Sequence, residues 1–285
     1  MAKDQTMTMR KKIGLLTSFT REVFKGEYFV RIIAGIVEAV RQTAGYDLTF
    51  LMVRDTEDAS RRILEEQKIE GVLFLTWTIH GRYVQEAQEA GIPAVVINDF
   101  TPGTEANIIY SDNRVGVELS LQHLVKTGRT RIGMLQAPDD ASVDSRERLR
   151  LWQELMGQYG LTTDPAHFRK CDYYFEEDGY LQMMDIIKNS KTLPQAMLCF
   201  NDDIALGVIK ALKESWIMCP GQVAVIGYDG ILKGKFSEPS LTTISQPLEQ
   251  MGAAMVQALV DIVEKRVSPP VRKKFSPELI IRRSC

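Results

Sequence analysis

Residues 196–212 read A-M-L-C-F-N-D-D-I-A-L-G-V-I-K-A-L, and the junction inside them decides the fold. An unbroken apolar run, Ala196-Met197-Leu198-Cys199-Phe200, stops at Asn201-Asp202-Asp203, and Ile204-Ala205-Leu206-Gly207 then opens a second apolar periodicity. A continuous short apolar run fits a strand buried on both faces, and the spacing after it fits a helix. Three polar side chains at that junction have two readings. Asn and Asp cap a helix by accepting from the unpaired N–H groups of its first turn. They also sit where α/β sheets bind ligands, at the carboxyl end of a strand.

The same kind of run recurs along the chain, in KKIGLLTS (11–18), DLTFLMV (47–53), IEGVLFLT (69–76), IPAVVIND (92–99), NIIYSD (107–112), RIGMLQA (131–137) and VAVIGYDG (223–230). Segments with helical spacing lie between most of them, such as Tyr28 to Thr43 and Arg114 to Lys126. Strand–helix alternation repeated this often predicts an α/β doubly wound architecture with parallel sheets. After Tyr110-Ser111-Asp112 a helix begins at Asn113 and the pattern restarts, which predicts two lobes rather than one wide sheet. No low-complexity linker separates the halves, so the lobes are expected to exchange strands.

Polar residues close these runs: Thr17-Ser18, Asn98-Asp99, Ser111-Asp112, Asn201-Asp202 and Asp229. They are hydrogen-bonding groups with few formal charges. No G-x-G-x-x-G follows the first run, and no phosphate loop, G-x-S-x-G elbow, H-E-x-x-H or Cys/His cluster occurs. His80, His123 and His167 are scattered. The sequence therefore carries no enzyme signature, and no cofactor or metal is expected.

A hydrophobic fraction of 45% with 25% charged residues fits a globular protein, and a net charge of −2 gives no basic field for nucleic acid. Cys171, Cys199, Cys219 and Cys285 form no C-x-x-C pair and read as reduced. No apolar stretch reaches the ~18–20 residues that span a bilayer, and no signal peptide precedes Ile13. A cytoplasmic protein without a membrane partner is expected.

SRERLRLW (145–152), AMLCFNDDIALGVIKAL (196–212), VAVIGYDG (223–230), SLTTISQPLEQMG (240–252) and the ending PELIIRRSC together resemble the effector-binding core of the LacI/GalR family of bacterial transcriptional regulators. The resemblance runs in order from about Ile13 to Cys285. It implies a type I periplasmic-binding-protein-like fold, with two doubly wound parallel-sheet lobes joined by three crossovers and a small molecule held between them. The implied division is a residual hinge or linker at 1–12, one lobe at 13–110 plus 247–274, and the other at 111–246 plus 275–285.

By the same resemblance Arg148, Asn201 and Asp229 contact the ligand, with Asn98 and Tyr110 at first-lobe strand ends and Gln246 at a crossover. Tyr28 and Phe29 match an aromatic pair opening the first helix, and Tyr174 belongs to an aromatic run, Tyr173-Tyr174-Phe175, that reads either as a lid or as a strand. Such a set suits a sugar or related polyol: amide, carboxylate and guanidinium groups pair with vicinal hydroxyls, while aromatic faces cover C–H surfaces. On this reading Asn201 reaches the ligand while Asp202 or Asp203 caps the helix. Trp152 reads as cleft or as core.

Departures accompany the match. Leu151 and Trp216 stand where the family has glycine, and the loop from Phe19 to Glu27 is longer than usual. Only twelve residues precede the first apolar run, too few for the family's DNA-binding helix-turn-helix of about fifty residues. The resemblance thus implies a homodimer that contacts DNA only through a domain absent from this chain. Apolar positions in Tyr83–Ala90 and Met251–Val263 would serve a dimer interface or the interior of one lobe. A transporter's solute-binding protein and the sensor module of a larger signalling protein are the alternative functions.

Overall fold

The computed structural model describes residues 10–17, 26–52, 64–75, 81–98, 105–138 and 143–285. The chain forms two compact units, Met1–Tyr110 with Leu248–Lys274, and Ser111–Pro247 with Phe275–Cys285.

In the first unit the described elements are β1 (Lys11–Thr17), α1 (Glu27–Gln42), β2 (Tyr46–Met52), β3 (Ile69–Leu75), α2 (Gly81–Glu89), β4 (Ala94–Ile97), β5 (Asn107–Ser111), α8 (Leu248–Val263) and β11 (Arg272–Phe275). The sheet runs β11-β5-β4-β3-β1-β2, and the pairs β5–β4, β4–β3, β3–β1 and β1–β2 are parallel. Met251, Met255, Val256, Leu259 and Val260 of α8 are buried, as are Val84 and Ala87 of α2. These apolar positions of the two helices are thus packed inside this unit.

The second unit holds α3 (Asn113–Lys126), β6 (Ile132–Gln136), α4 (Val143–Gln158), β7 (Phe168–Lys170), α5 (Glu176–Asn189), β8 (Ala196–Cys199), α6 (Asp202–Glu214), β9 (Ala224–Asp229), α7 (Leu232–Lys235), β10 (Thr242–Ser245) and β12 (Glu278–Ile280). Its sheet runs β12-β10-β9-β8-β6-β7, parallel throughout except for the antiparallel β10–β12 pair.

The quoted run shows why the strands lack polar alternation. Ala196 and Leu198 pack with Leu121, Trp152 and Leu155, from α3 and α4. Met197 and Cys199 pack with Met183, Ile204 and Val208, from α5 and α6. Successive side chains point to opposite faces, and helices cover both, so every position is apolar.

Glycines set the helix spacing. On α5 a Cβ at Gly179 would lie 2.0 Å from the Ile204 carbonyl oxygen, and on α6 a Cβ at Gly207 would lie 1.9 Å from that of Glu176. The first unit repeats the device between α1 and α8, with Gly35 against Glu249 and Gly252 against Ile32.

Four strands were not among the apolar runs. β7, β11 and β12 are only three or four residues long, and β7 and β11 are rich in charge. β10 is buried but begins with two threonines, whose hydroxyls are hydrogen-bonded inside the unit.

Candidate functional site

In the second unit the sequence-selected residues collect at the carboxyl ends of β8 and β9. Arg148, on α4, is only 4% exposed. Its Nε donates to Asn113 Oδ1 (2.9 Å) and its Nη1 to the Phe200 carbonyl (2.8 Å). The guanidinium lies 3.6 Å from the centre of the Tyr228 ring and 4.6 Å from that of Phe200. A planar cation stacks on aromatic faces in this way. Gly116, on α3, leaves room for the Tyr228 hydroxyl, which a Cβ there would meet at 2.4 Å.

Asp144 lies one helical turn before Arg148, with 3.9 Å between Oδ2 and Nη2. Its Oδ1 accepts from Asn113 Nδ2 at 2.6 Å. Asn113 thus joins the carboxylate to the guanidinium. Neither Asn113 nor Asp144 was selected from the sequence. A signal for Asp144 existed in its i,i+4 spacing to Arg148, but Asn113 is brought in from another helix.

Asp229 ends β9 with φ +119°, a backbone conformation that costs a non-glycine residue energy. Gln246 Nε2 donates to its Oδ1 at 2.8 Å, and Gln246 is wholly buried. The Asp229 carboxyl is raised to about 7. Burial is the main cause; Arg148 and the Gln246 hydrogen bond pull it down, while Asp203 and Asp144 push it up.

The helix cap corrects one expectation. Asn201 itself caps α6, its Oδ1 accepting from Ile204 N at 2.8 Å, while Nδ2 donates to the Tyr174 carbonyl at 3.0 Å. Asp202 faces inward instead, accepting from Thr243 Oγ1 (2.6 Å) and Ile231 N (2.8 Å), and so ties α6 to the chain leaving β9. Burial, reinforced by Asp229, holds the Asp202 carboxyl well above the usual range. Asn201 has extended backbone, as a cap requires, whereas Asp202 is already helical.

Tyr174 packs its ring 5.8 Å from Phe200, while Tyr173 and Phe175 stack at 6.3 Å. The three precede α5 as a bend and not as a strand. Trp152 is core, stacked on Phe168, and Leu151 is buried beside it.

In the first unit Asn98, at φ +51°, follows β4 and donates its Nδ2 to the Tyr28 hydroxyl at 2.8 Å. Tyr28 and Phe29 meet edge to face, but Phe29 is buried, 3% exposed, whereas Tyr28 is half-buried. Tyr110 is partly buried against the cluster containing Leu16 and Phe74. Ser18, Asp99, His80 and residues 19–25 of the first loop lie outside the described residues.

Comparison with known proteins assigns the family. The family model for a periplasmic binding protein-like domain matches residues 121–285, more than half of the chain. The chain belongs to that family. It is similar to the HTH-type transcriptional regulator GalR of Escherichia coli (strain K12), 27% identical over 282 residues, 95% of this chain and 78% of that protein. The HTH-type transcriptional repressor PurR of Actinobacillus pleuropneumoniae serotype 3 (strain JL03) is 27% identical over 292 residues, covering 99% and 83%. Among solved structures, the complex of the transcriptional regulator CelR with cellobiose aligns with a TM-score of 0.85 at 25% identity, covering 98% of this chain and 86% of that one. A lac repressor dimer bound to operator and anti-inducer shares the fold, with a TM-score of 0.84 at 24% identity, covering 98% and 95%. This periplasmic-binding-protein-like chain is thus the effector-binding core of a LacI/GalR-type transcriptional regulator, and not an enzyme. No helix among its described residues is long and apolar enough to cross a membrane.

Proposed function

We propose that this core binds an uncharged sugar-like effector through Arg148, Asn201, Asp229 and Gln246, with Tyr174 beside them. The reading rests above all on Arg148, held flat against Tyr228 and hydrogen-bonded to Asn113 and the Phe200 carbonyl. A guanidinium fixed in this way binds hydroxyls without losing further side-chain freedom. Asp229 beside it supplies acceptors, and amides such as Asn201 and Gln246 supply both donors and acceptors. The relative CelR is a cellobiose complex, which supports a carbohydrate as the effector class.

In the regulator this core is cytoplasmic and homodimeric. Effector binding shifts its conformational equilibrium by the difference in affinity between two states, and that shift alters DNA binding by a separate helix-turn-helix head. Calorimetry against neutral mono- and disaccharides, cellobiose included, tests the effector class. At least one sugar binds the parent chain, and Asp229→Ala weakens it about ten- to hundredfold. Equal binding by parent and variant rules out the assigned site. Light scattering at monomer mass at working concentrations rules out the dimer.

A further inference from the structure

We propose that Asp144 is a specificity residue that makes this site reject anionic effectors such as phosphorylated sugars. The inference rests on the site proposed above and adds a residue to it. An arginine receives a phosphate or carboxylate through two parallel N–H groups of its fork. On Arg148 part of that fork is already engaged: Nε donates to Asn113 and Nη1 to the Phe200 carbonyl. Its Nη2 faces Asp144 Oδ2 at 3.9 Å. The negative charge of Asp144 therefore stands where an incoming oxyanion would seek the guanidinium.

Asp229 lies within the field of both Arg148 and Asp144. Its partner Gln246 is wholly buried, and Gln246 Oε1 has no partner among the described residues. A buried carbonyl oxygen left open beside a carboxylate calls for a donor, which a hydroxyl provides and an ionised phosphate oxygen does not. The cluster thus offers acceptors to a ligand and a cation whose charge is already balanced. Asn113 holds the arrangement in register, because its Nδ2 anchors Asp144 and its Oδ1 anchors Arg148.

Inorganic phosphate is the probe, titrated at constant ionic strength while the Nε resonance of Arg148 is followed in arginine-labelled protein. Asp144→Asn keeps an acceptor for Asn113 and removes the charge, and Asp144→Ser covers the case in which the amide misfolds. The parent resonance is expected to stay unmoved, and either folded variant to show saturable binding at least about tenfold tighter. Saturation of the parent at the same phosphate concentration, or no gain in either folded variant, overturns the proposal. Neutral sugars form the second arm. If none of them moves the Arg148 resonance, the sugar-like reading fails, and the phosphate comparison still decides the role of Asp144.

Discussion

The Arg148 guanidinium sits 3.6 Å above the centre of the Tyr228 ring and donates to the Phe200 carbonyl from the same position. Charge alone does not reproduce this arrangement. Arg148→Lys retains the positive charge but loses the planar stack and the Nε bond to Asn113. The variant is expected to lose roughly 1–3 kcal/mol of stability and to bind the effector at least about tenfold more weakly. Denaturant titration and calorimetry on the same preparation check both effects.

Asp229 gives a pH dependence whose sign follows from its position. Its carboxyl is raised to about 7 in the folded chain, so between roughly pH 4 and 7 the folded state keeps a proton that the unfolded state has released. Stability is therefore highest on the acid side and falls as pH rises through about 7, by on the order of a few kcal/mol. Asp202, raised for the same reason, adds to the fall. Burial lowers His123, which works in the opposite direction. Comparing the parent with Asp229→Asn by urea denaturation between about pH 5 and 8 isolates the Asp229 share; equal slopes refute it.

Two glycines of different surroundings should respond oppositely to the same methyl group. Gly207→Ala drives a Cβ into the Glu176 carbonyl and is expected to cost about 1–3 kcal/mol. Gly157, near the end of α4, has nothing among the described residues within 4 Å of its added Cβ, and Gly157→Ala should stabilise by up to about 1 kcal/mol. Denaturation midpoints of the two variants fall on opposite sides of the parent.

Trp216 follows α6 at φ +57° and is 93% exposed. Its ring gains little burial, while its backbone carries the strain that glycine avoids after a helix. Trp216→Gly is expected to raise stability by about 0.5–1 kcal/mol, read as a higher unfolding midpoint with an unchanged denaturant slope.

Much of this was legible in the sequence, for a physical reason. The run Ala196–Phe200 is apolar at every position because α3 and α4 cover one face and α5 and α6 the other. Period and composition record that burial directly. Asp229 and Arg148 stood out because each belongs to a local motif. The Asn113–Asp144 bond did not, since it joins residues 31 apart on two helices, and sequence order carries no trace of such a meeting. That Asn201 and not Asp202 caps α6 was hidden too. Both residue types cap helices, and only the position of Thr243 on β10 draws Asp202 inward.

The division of each unit between distant stretches of chain constrains its synthesis. In the first unit Arg31 on α1 is ion-paired with Glu249 on α8, 218 residues later. The α1 surface around Gly35 has no helix to meet until α8 has been made, and β11 follows later still. A ribosome releases chain from the N-terminus onward, so the first unit begins first yet is completed only after most of the second has emerged. Until then the apolar flank of α1 and the sheet edge at β5 are open, and they are the surfaces on which a chaperone would act.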